Sequence, residues 1–172
     1  MDSVVLLPMP RKLDFTQGLF APKPGRQFIQ LDPDMSADLV GAARVIQCAA
    51  GKEMRCRWQI VAGRAASDEK SVDLAIVRFE HDREQYTIDL RPTDILIRAS
   101  TPAMAFYAAH TLAQLFRQFP DAVPCLHIED WPDFPARGVM IDISRDKVPT
   151  MATLYALVDL LASMKKIGRA HV

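Results

Sequence analysis

The chain has 172 residues, 49% of them hydrophobic and 24% charged, a composition typical of a folded globular protein. Its 21 basic and 21 acidic residues cancel, which argues against a nucleic-acid-binding surface and favours a neutral or weakly charged partner. The length suits one domain, or one domain and a piece of another, and no apolar run approaches the roughly 18 residues that a membrane span requires. We therefore expect neither nucleic acid nor a membrane among its partners; the oligomeric state stays open.

The N-terminal stretch MDSVVLLPMPRKLDF does not have the pattern of a secretory signal. Its apolar core is only the run VVLL, and Asp2 occupies a place where a signal peptide carries positive charge. This predicts a cytoplasmic protein, or a periplasmic or extracellular one if the true start lies upstream of Met1.

The three cysteines, Cys48, Cys56 and Cys125, are odd in number and form no CxxC pair. This favours buried free thiols in a reducing compartment over a disulfide framework or a zinc site. The sequence also contains no glycine-rich phosphate loop, HExxH motif or Ser-His-Asp order. We therefore expect no metal and no cofactor.

The first half of the chain alternates short strands with one helix. Residues 4–7 predict an edge strand that is stopped by the following prolines, and a second strand is expected near 27–31. A helix with one apolar face then runs from a cap at Asp32 to Gly51. Further strands are expected at about 56–61 and 72–79.

The stretch YTIDLRPTDILIRA predicts a hairpin, because apolar and polar residues alternate on both sides of a turn that contains Pro92. A second helix follows, capped by Ser100 or Thr101 and ended by Pro120, with apolar residues at helical spacing. Neighbouring strands with helices gathered beside them predict an α+β fold, in which an antiparallel-rich sheet carries its helices on one face.

A different pattern begins after residue 130. The apolar run from Val139 to Ile143 predicts a buried parallel strand, and Pro149 and Thr150 then open an amphipathic helix. Strand, loop and helix make one β/α unit, which is too little to close a sheet of its own. The sequence thus predicts the start of a second domain.

Most residues that could carry chemistry have a simpler structural interpretation. His127, in PCLHIED, lies near a partial likeness to a zinc deaminase signature, but the order is reversed and a cysteine is missing, so a strand end is favoured. His81 is interpreted as a solvated turn residue and His110 as a helix histidine with a local partner. Either tryptophan could stack on a sugar or base; we expect Trp58 in the core and Trp131 as a wedge between domains.

Carboxylates also cluster at Glu129, Asp130 and Asp133, but they precede the predicted strand. In α/β architectures the chemistry lies at the carboxyl ends of strands, and this rule selects Asp142 and Arg145 instead. A guanidinium can hold two adjacent acceptors, such as neighbouring sugar hydroxyls. An ion pair with an acidic neighbour is the structural alternative for Arg145.

The stretch IEDWPDFPARGVMIDISRDKVPTMATLYALVDLLASMK resembles the entry to the catalytic barrel of glycoside hydrolase family 20, the β-N-acetylhexosaminidases. The upstream YTIDLRPTDILIRASTPAMAFYAAHTLAQLF resembles the end of the non-catalytic domain that precedes that barrel. The likeness covers roughly residues 2–165. It implies an accessory α+β domain at 1–130 and, at 131–165, the first β/α unit of a truncated (β/α)8 barrel.

The resemblance also implies roles for individual residues. Arg145 matches the family arginine that binds hydroxyls of the terminal N-acetylhexosamine, whereas Arg137 matches a structural position before the strand. Many family members have histidine after the arginine, where this chain has Asp146. The family mechanism is substrate-assisted: the 2-acetamido oxygen attacks the anomeric carbon, helped by an Asp-Glu pair on a later strand. That pair has no counterpart here, so we assign no catalytic residue and expect the chain to be inactive by itself.

The last residues, 166–172, end in IGRAHV, which is what a common sequencing adapter encodes in one frame. We expect this tail to be an artefact, which the coding DNA can test. Two alternatives to the hexosaminidase remain: a free-standing, non-catalytic carbohydrate-binding or interaction module, and another barrel glycosidase family with a similar accessory domain.

Overall fold

A computed structural model describes most of the chain, which divides into two compact units, Met1–Trp131 and Pro132–Val172. We call them the N-terminal and the C-terminal unit and treat each separately. The structure describes residues 4–22, 27–63, 70–81, 83–141 and 148–166.

Within its described residues, the N-terminal unit contains seven strands and two helices, with a short 3-10 turn before the first helix. In chain order these elements are β1 (Lys12–Phe20), β2 (Gln27–Leu31), the turn Pro33–Met35, α1 (Ser36–Glu53), β3 (Trp58–Ala62), β4 (Lys70–Ile76), β5 (Tyr86–Leu90), β6 (Ile95–Ala99), α2 (Pro102–Gln118) and β7 (Val123–Asp130).

The seven described strands form one mixed sheet in the order β1-β7-β5-β6-β4-β2-β3. The β1–β7, β7–β5 and β5–β6 pairs are antiparallel, whereas β6–β4, β4–β2 and β2–β3 are parallel. The α+β class is confirmed, but the expectation of an antiparallel-rich sheet applies to only half of it. The reason is connectivity: α1 carries the chain back along the sheet between β2 and β3, so these strands run parallel.

The core lies between one face of the sheet and both helices. Strands β2, β5 and β6 alternate buried and half-buried residues, as expected for a sheet with one covered face. Leu112, Leu115 and Phe116 of α2 are fully buried against this face, and α1 packs on α2 beside it. The half-buried positions that alternate with the core residues lie on the other face of the sheet, and most of them are polar.

Thr101 caps α2 as predicted, whereas Asp32 caps the 3-10 turn Pro33–Met35 and α1 itself begins at Ser36 without a side-chain cap. The Asp32 carboxylate accepts a hydrogen bond from the Asp34 amide at 3.1 Å, and the Thr101 hydroxyl accepts one from Met104 at 3.3 Å. Each such cap satisfies an amide that the first turn leaves without a backbone partner. The end of α1 was predicted less well, since the helix passes Gly51 and ends at Glu53.

Residues 4–7 were predicted as an edge strand, but they are not paired in the sheet. They run instead beside α2, where the amide group of Gln118 bonds to both backbone groups of Val5 and that of Gln114 to both of Leu7, at 2.7–2.9 Å. Two glutamines one helical turn apart thus take the place of a neighbouring strand. The strand at this edge of the sheet is β1, which the sequence did not predict because KLDFTQGLF is largely exposed and lacks apolar alternation.

The C-terminal unit contains one described helix, α3 (Met151–Ser163), which begins at the predicted Thr150 cap. The strand predicted at 139–143 is not seen: residues 139–141 are not paired, and 142–143 lie outside the described residues. A strand needs a neighbour to satisfy its backbone, and one β/α unit provides none. Of the predicted β/α unit, the described residues therefore show only the helix.

Arg137 holds this unit together. Its Nε donates to the carbonyl of Lys165 at 3.1 Å and its Nη1 to that of Phe134, so it joins the segment before α3 to the turn after it. Large apolar side chains nevertheless remain more than half exposed, namely Phe134, Met140, Val148, Met151, Tyr155, Val158 and Leu160. None of the described helices is both long and apolar enough to cross a membrane.

Candidate binding groove

The two residues selected from the sequence, Asp142 and Arg145, both lie outside the described residues, as does Asp146. The sugar-binding role that the resemblance implies for Arg145 therefore stays a prediction. The described part of the chain offers a different feature, a groove in the N-terminal unit.

The groove, of 320 Å³, lies where the beginnings of β1 and β5 meet the end of β7. Lys12, Glu129 and Thr87 stand opposite one another on these three strands and therefore share one face of the sheet. Trp131, directly after β7, and Arg83, before β5, also line the groove. All of these residues belong to the N-terminal unit.

Trp131 is half-buried and is held by cationic side chains. The Arg83 guanidinium carbon lies 3.9 Å from the centroid of the indole, and the Lys12 ammonium 5.9 Å from it. Cations near an aromatic face are attracted by its quadrupole. The Nε of Arg83 also donates to Gln85 at 2.7 Å, which fixes the plane of the guanidinium.

A chain of charged side chains continues from the groove along the polar face of the sheet. The Lys12 ammonium donates to Glu129 at 2.7 Å, and His127 stands between Glu129 at 3.4 Å and Asp89 at 2.7 Å. The hydrogen bond from Lys12 lowers the pKa of Glu129. Partial burial acts in the opposite direction, and the hydrogen bond from His127 acts in the same direction as that from Lys12. Partial burial alone would lower the pKa of His127, but its hydrogen bonds to Asp89 and Glu129 outweigh this and raise it.

The raised pKa of His127 predicts a pH-dependent contribution to stability. A group with a raised folded pKa stabilises the fold below its unfolded pKa, about 6.5 for histidine, and loses this effect as pH rises through the folded pKa. Replacing His127 with glutamine should therefore cost more stability at about pH 5.5 than at about pH 9, as measured by urea unfolding of both proteins. An equal cost at both pH values would contradict this.

Beneath Trp131 lies a buried hydrogen-bond network. The Tyr86 hydroxyl donates to Asp130 Oδ2 at 2.8 Å and also bonds the Thr111 hydroxyl of α2 at 2.8 Å. The other oxygen of Asp130 accepts the backbone N–H of Trp131 at 3.1 Å. Burial, together with the charge of Asp130, raises the pKa of Tyr86 well above its usual value. The network joins two strands and a helix, and it fixes the backbone from which Trp131 projects.

Of the other candidates, His81 lies at the groove, whereas Trp58 and His110 pack against aromatic side chains. Trp58 is buried edge-on against Phe20 and Phe116, at 6.4 and 5.7 Å between ring centroids, and His110 packs against Phe106 at 4.7 Å. Within the ranges that the structure covers, no group of three or more His, Cys, Asp or Glu side chains is arranged to hold a metal.

The carboxylates that cluster in sequence separate in space. Asp130 is buried and points to the helices, Glu129 faces the groove, and Asp133 is exposed in the C-terminal unit. Alternation along a strand sends neighbouring residues to opposite faces, so a sequence cluster at a strand end is not a spatial one. The alternation in CLHIED would have assigned Asp130 and Glu129 to different faces.

The family model described as glycosyl hydrolase family 20, domain 2, matches residues 4–131 of the chain. Among curated proteins, an N,N'-diacetylchitobiase from Vibrio harveyi is 37% identical over 88 residues, 51% of this chain and 10% of the relative. A β-hexosaminidase from Akkermansia muciniphila is 31% identical over 94 residues, 53% of this chain and 19% of the relative. The chain thus spans less than a fifth of the length of these two relatives.

Two solved structures share the fold. A mutant β-hexosaminidase from Streptomyces plicatus, in complex with the product GlcNAc, aligns with a TM-score of 0.79 and 20% identity over 96% of this chain and 34% of its own. A β-N-acetylhexosaminidase from Streptomyces coelicolor aligns with a TM-score of 0.81 and 18% identity over 97% of this chain and 34% of its own. At these identities the comparison speaks for the fold alone.

Proposed function

The chain belongs to glycosyl hydrolase family 20, and from this we propose that it is part of an exo-β-N-acetylhexosaminidase. The enzyme would remove terminal N-acetylhexosamine residues from glycans. The match of residues 4–131 to the family's domain 2 carries the proposal. The names of the similar proteins support it, since they are a chitobiase and hexosaminidases, one of them holding GlcNAc as product.

Within this proposal, residues 1–130 form the non-catalytic accessory domain and residues 131–165 begin the catalytic barrel. Arg145 would bind hydroxyls of the terminal sugar, because its planar guanidinium can donate to two neighbouring oxygens at once. The family's mechanism implies that the acetamido oxygen of the substrate is the nucleophile and that an Asp-Glu pair orients it and protonates the leaving group. Because the 172 residues hold no counterpart of that pair, we propose that they do not hydrolyse glycosides by themselves.

Expression of two proteins tests this proposal. The 172-residue chain should release no p-nitrophenol from p-nitrophenyl N-acetyl-β-D-glucosaminide. The protein encoded by the uninterrupted genomic reading frame that contains this chain should release it, and p-nitrophenyl β-D-glucoside, which lacks the acetamido nucleophile, should be a poor substrate. Turnover by the short chain would refute its proposed inactivity. Failure of the longer protein to cleave the acetamido substrate would refute the enzyme class.

A further inference from the structure

We propose that the free edge of strand β3 binds an extended, acidic segment of a partner protein as an additional strand of the sheet. This edge belongs to the N-terminal unit, and its binding is independent of the hydrolase activity proposed above. The backbone groups of Ile60 and Ala62 form the pairing, and the side chains of Arg55 and Arg57 meet carboxylates of the partner.

The hydrogen bonding between β2 and β3 shows which backbone groups of β3 point away from the sheet. Among the described strands β3 is the last, and it runs parallel to β2 with Leu31 beside Ala62. The carbonyl of Leu31 accepts a hydrogen bond from the amide of Gly63 at 3.1 Å. In a parallel ladder the bonds go to the residues on either side of the directly paired one, so Val61 and Gly63 face β2. The N–H and C=O groups of Ile60 and Ala62 therefore point outward.

The two edges of the sheet differ in how well they are protected against pairing with another strand. Protected edges commonly carry charged residues, proline or a β-bulge. The edge strand β1 contains Lys12 and Asp14, and a register shift interrupts its pairing with β7. Strand β3, with the sequence WQIVA, has no charged residue and no proline, and its register with β2 is unbroken. The β3 edge is therefore the one that can accept a further strand.

Arginines flank the start of this edge and determine the charge of its partner. Arg55 and Arg57 directly precede β3 and are exposed, as is Arg44 on α1. Helix α1 lies beside the start of β3, since the side-chain amide of Gln47 donates to the carbonyl of Trp58 at 2.7 Å. Within the part of the chain for which contacts are described, none of the three arginines has a carboxylate partner. A second copy of β3 would bring no carboxylate to them, so charge complementarity favours an acidic segment of another protein.

The backbone of Arg55 adds a second observation. This residue follows the end of α1 with a φ of 57°, in the left-handed region where glycine is the usual residue after a helix. The amide of Cys56 bonds back to the carbonyl of Ala50 at 3.0 Å across the turn. Glycine would keep this turn with less strain, so the presence of arginine favours a role for its side chain outside the turn.

Titration of the 15N-labelled 172-residue chain with a short synthetic peptide tests the proposal. The peptide alternates valine and threonine and has a pair of glutamates at its carboxyl end, which meets Arg55 and Arg57 when the peptide pairs antiparallel to β3. The amide resonances of Ile60 and Ala62 should shift in a saturable manner, with a dissociation constant on the order of 1 mM. The same peptide ending in glutamines should bind roughly tenfold more weakly, and one with two adjacent prolines at its centre should not bind.

Two variants and one matched control localise the binding. Arg55→Gly should weaken binding roughly tenfold, while its midpoint of urea unfolding stays the same or rises, because glycine relieves the strain at this position. Ala62→Pro removes an outward amide at an exposed position and leaves the hydrogen bonds to β2 in place, so it should also weaken binding. Arg91→Ala, which alters an exposed arginine in the turn after β5, should leave the affinity unchanged.

The proposal fails if no saturable shift appears at β3, or if Arg55→Gly binds the peptide as tightly as the unaltered chain. It also fails if the glutamine-ended or the proline-containing peptide binds equally well, since recognition would then not need both charge and backbone pairing. If the resonances of β3 change with the concentration of the chain alone, a second copy occupies the edge and the acidic partner is refuted. Circular dichroism checks the fold of each variant, and Arg55→Gly decides if Ala62→Pro does not fold.

Discussion

Tyr86→Phe should destabilise the N-terminal unit by about 2–3 kcal/mol, because it removes one hydroxyl from the buried network beneath Trp131. That hydroxyl donates to the carboxylate of Asp130 and bonds the hydroxyl of Thr111, both at 2.8 Å. Phenylalanine retains the ring and its packing, so the loss of the two hydrogen bonds is the main change. Asp130 loses a donor in a place where little water can replace it, and this makes the substitution costly.

Urea unfolding, followed by far-ultraviolet circular dichroism, measures this effect. Tyr155→Phe is the matched control, because the same oxygen is removed from a tyrosine whose side chain is 65% exposed. It should change stability by less than about 0.5 kcal/mol, as is usual for surface substitutions. If Tyr86→Phe also stays within that range, the network does not stabilise the fold in the way that its geometry indicates.

The sequence predicted those elements whose signals are local. The hairpin of β5 and β6 is fixed by alternation on both sides of a turn with Pro92, and the backbone of Arg91 and Asp94 closes that turn at 2.9 Å. The helices are fixed by caps and apolar spacing. The mixed direction of the sheet could not be predicted in this way, because strand order depends on crossovers that pair residues distant in the chain. The strand β1 was missed because its residues, except Phe20 at its end, are not buried, and burial is what produces a readable pattern.

The candidate sites show the same contrast. Trp131 could be named from the sequence as a possible sugar platform, but its neighbours could not, since Lys12 and Glu129 are 117 positions apart. Only the pairing of β1 with β7 brings them together. Arg145 was reached by another route, from the strand-end rule and from the resemblance of the whole motif to the family. Arg145 lies outside the described residues, so enzyme kinetics has to test its predicted role in sugar binding.

In the proposed hexosaminidase, Arg145→Ala should reduce kcat/KM for an aryl N-acetyl-β-glucosaminide by roughly 100-fold, in line with the loss of charge-assisted hydrogen bonds. The reason is that a guanidinium at the end of the first barrel strand would hold hydroxyls of the terminal sugar, which fixes the anomeric carbon near the acetamido oxygen. Arg145→Lys keeps the charge but loses the planar fork, so it should recover only part of the activity.

Arg137→Ala is the control within the same motif. Its guanidinium bonds the main-chain carbonyls of Phe134 and Lys165, so its removal should lower thermal stability rather than act through substrate contacts. At a temperature where both variants are folded, Arg145→Ala should lose most of its activity and Arg137→Ala should lose much less. Unchanged kinetics of Arg145→Ala would exclude this arginine from the sugar site. If Arg137→Ala lost as much activity as Arg145→Ala, the motif would act through folding and not through substrate binding.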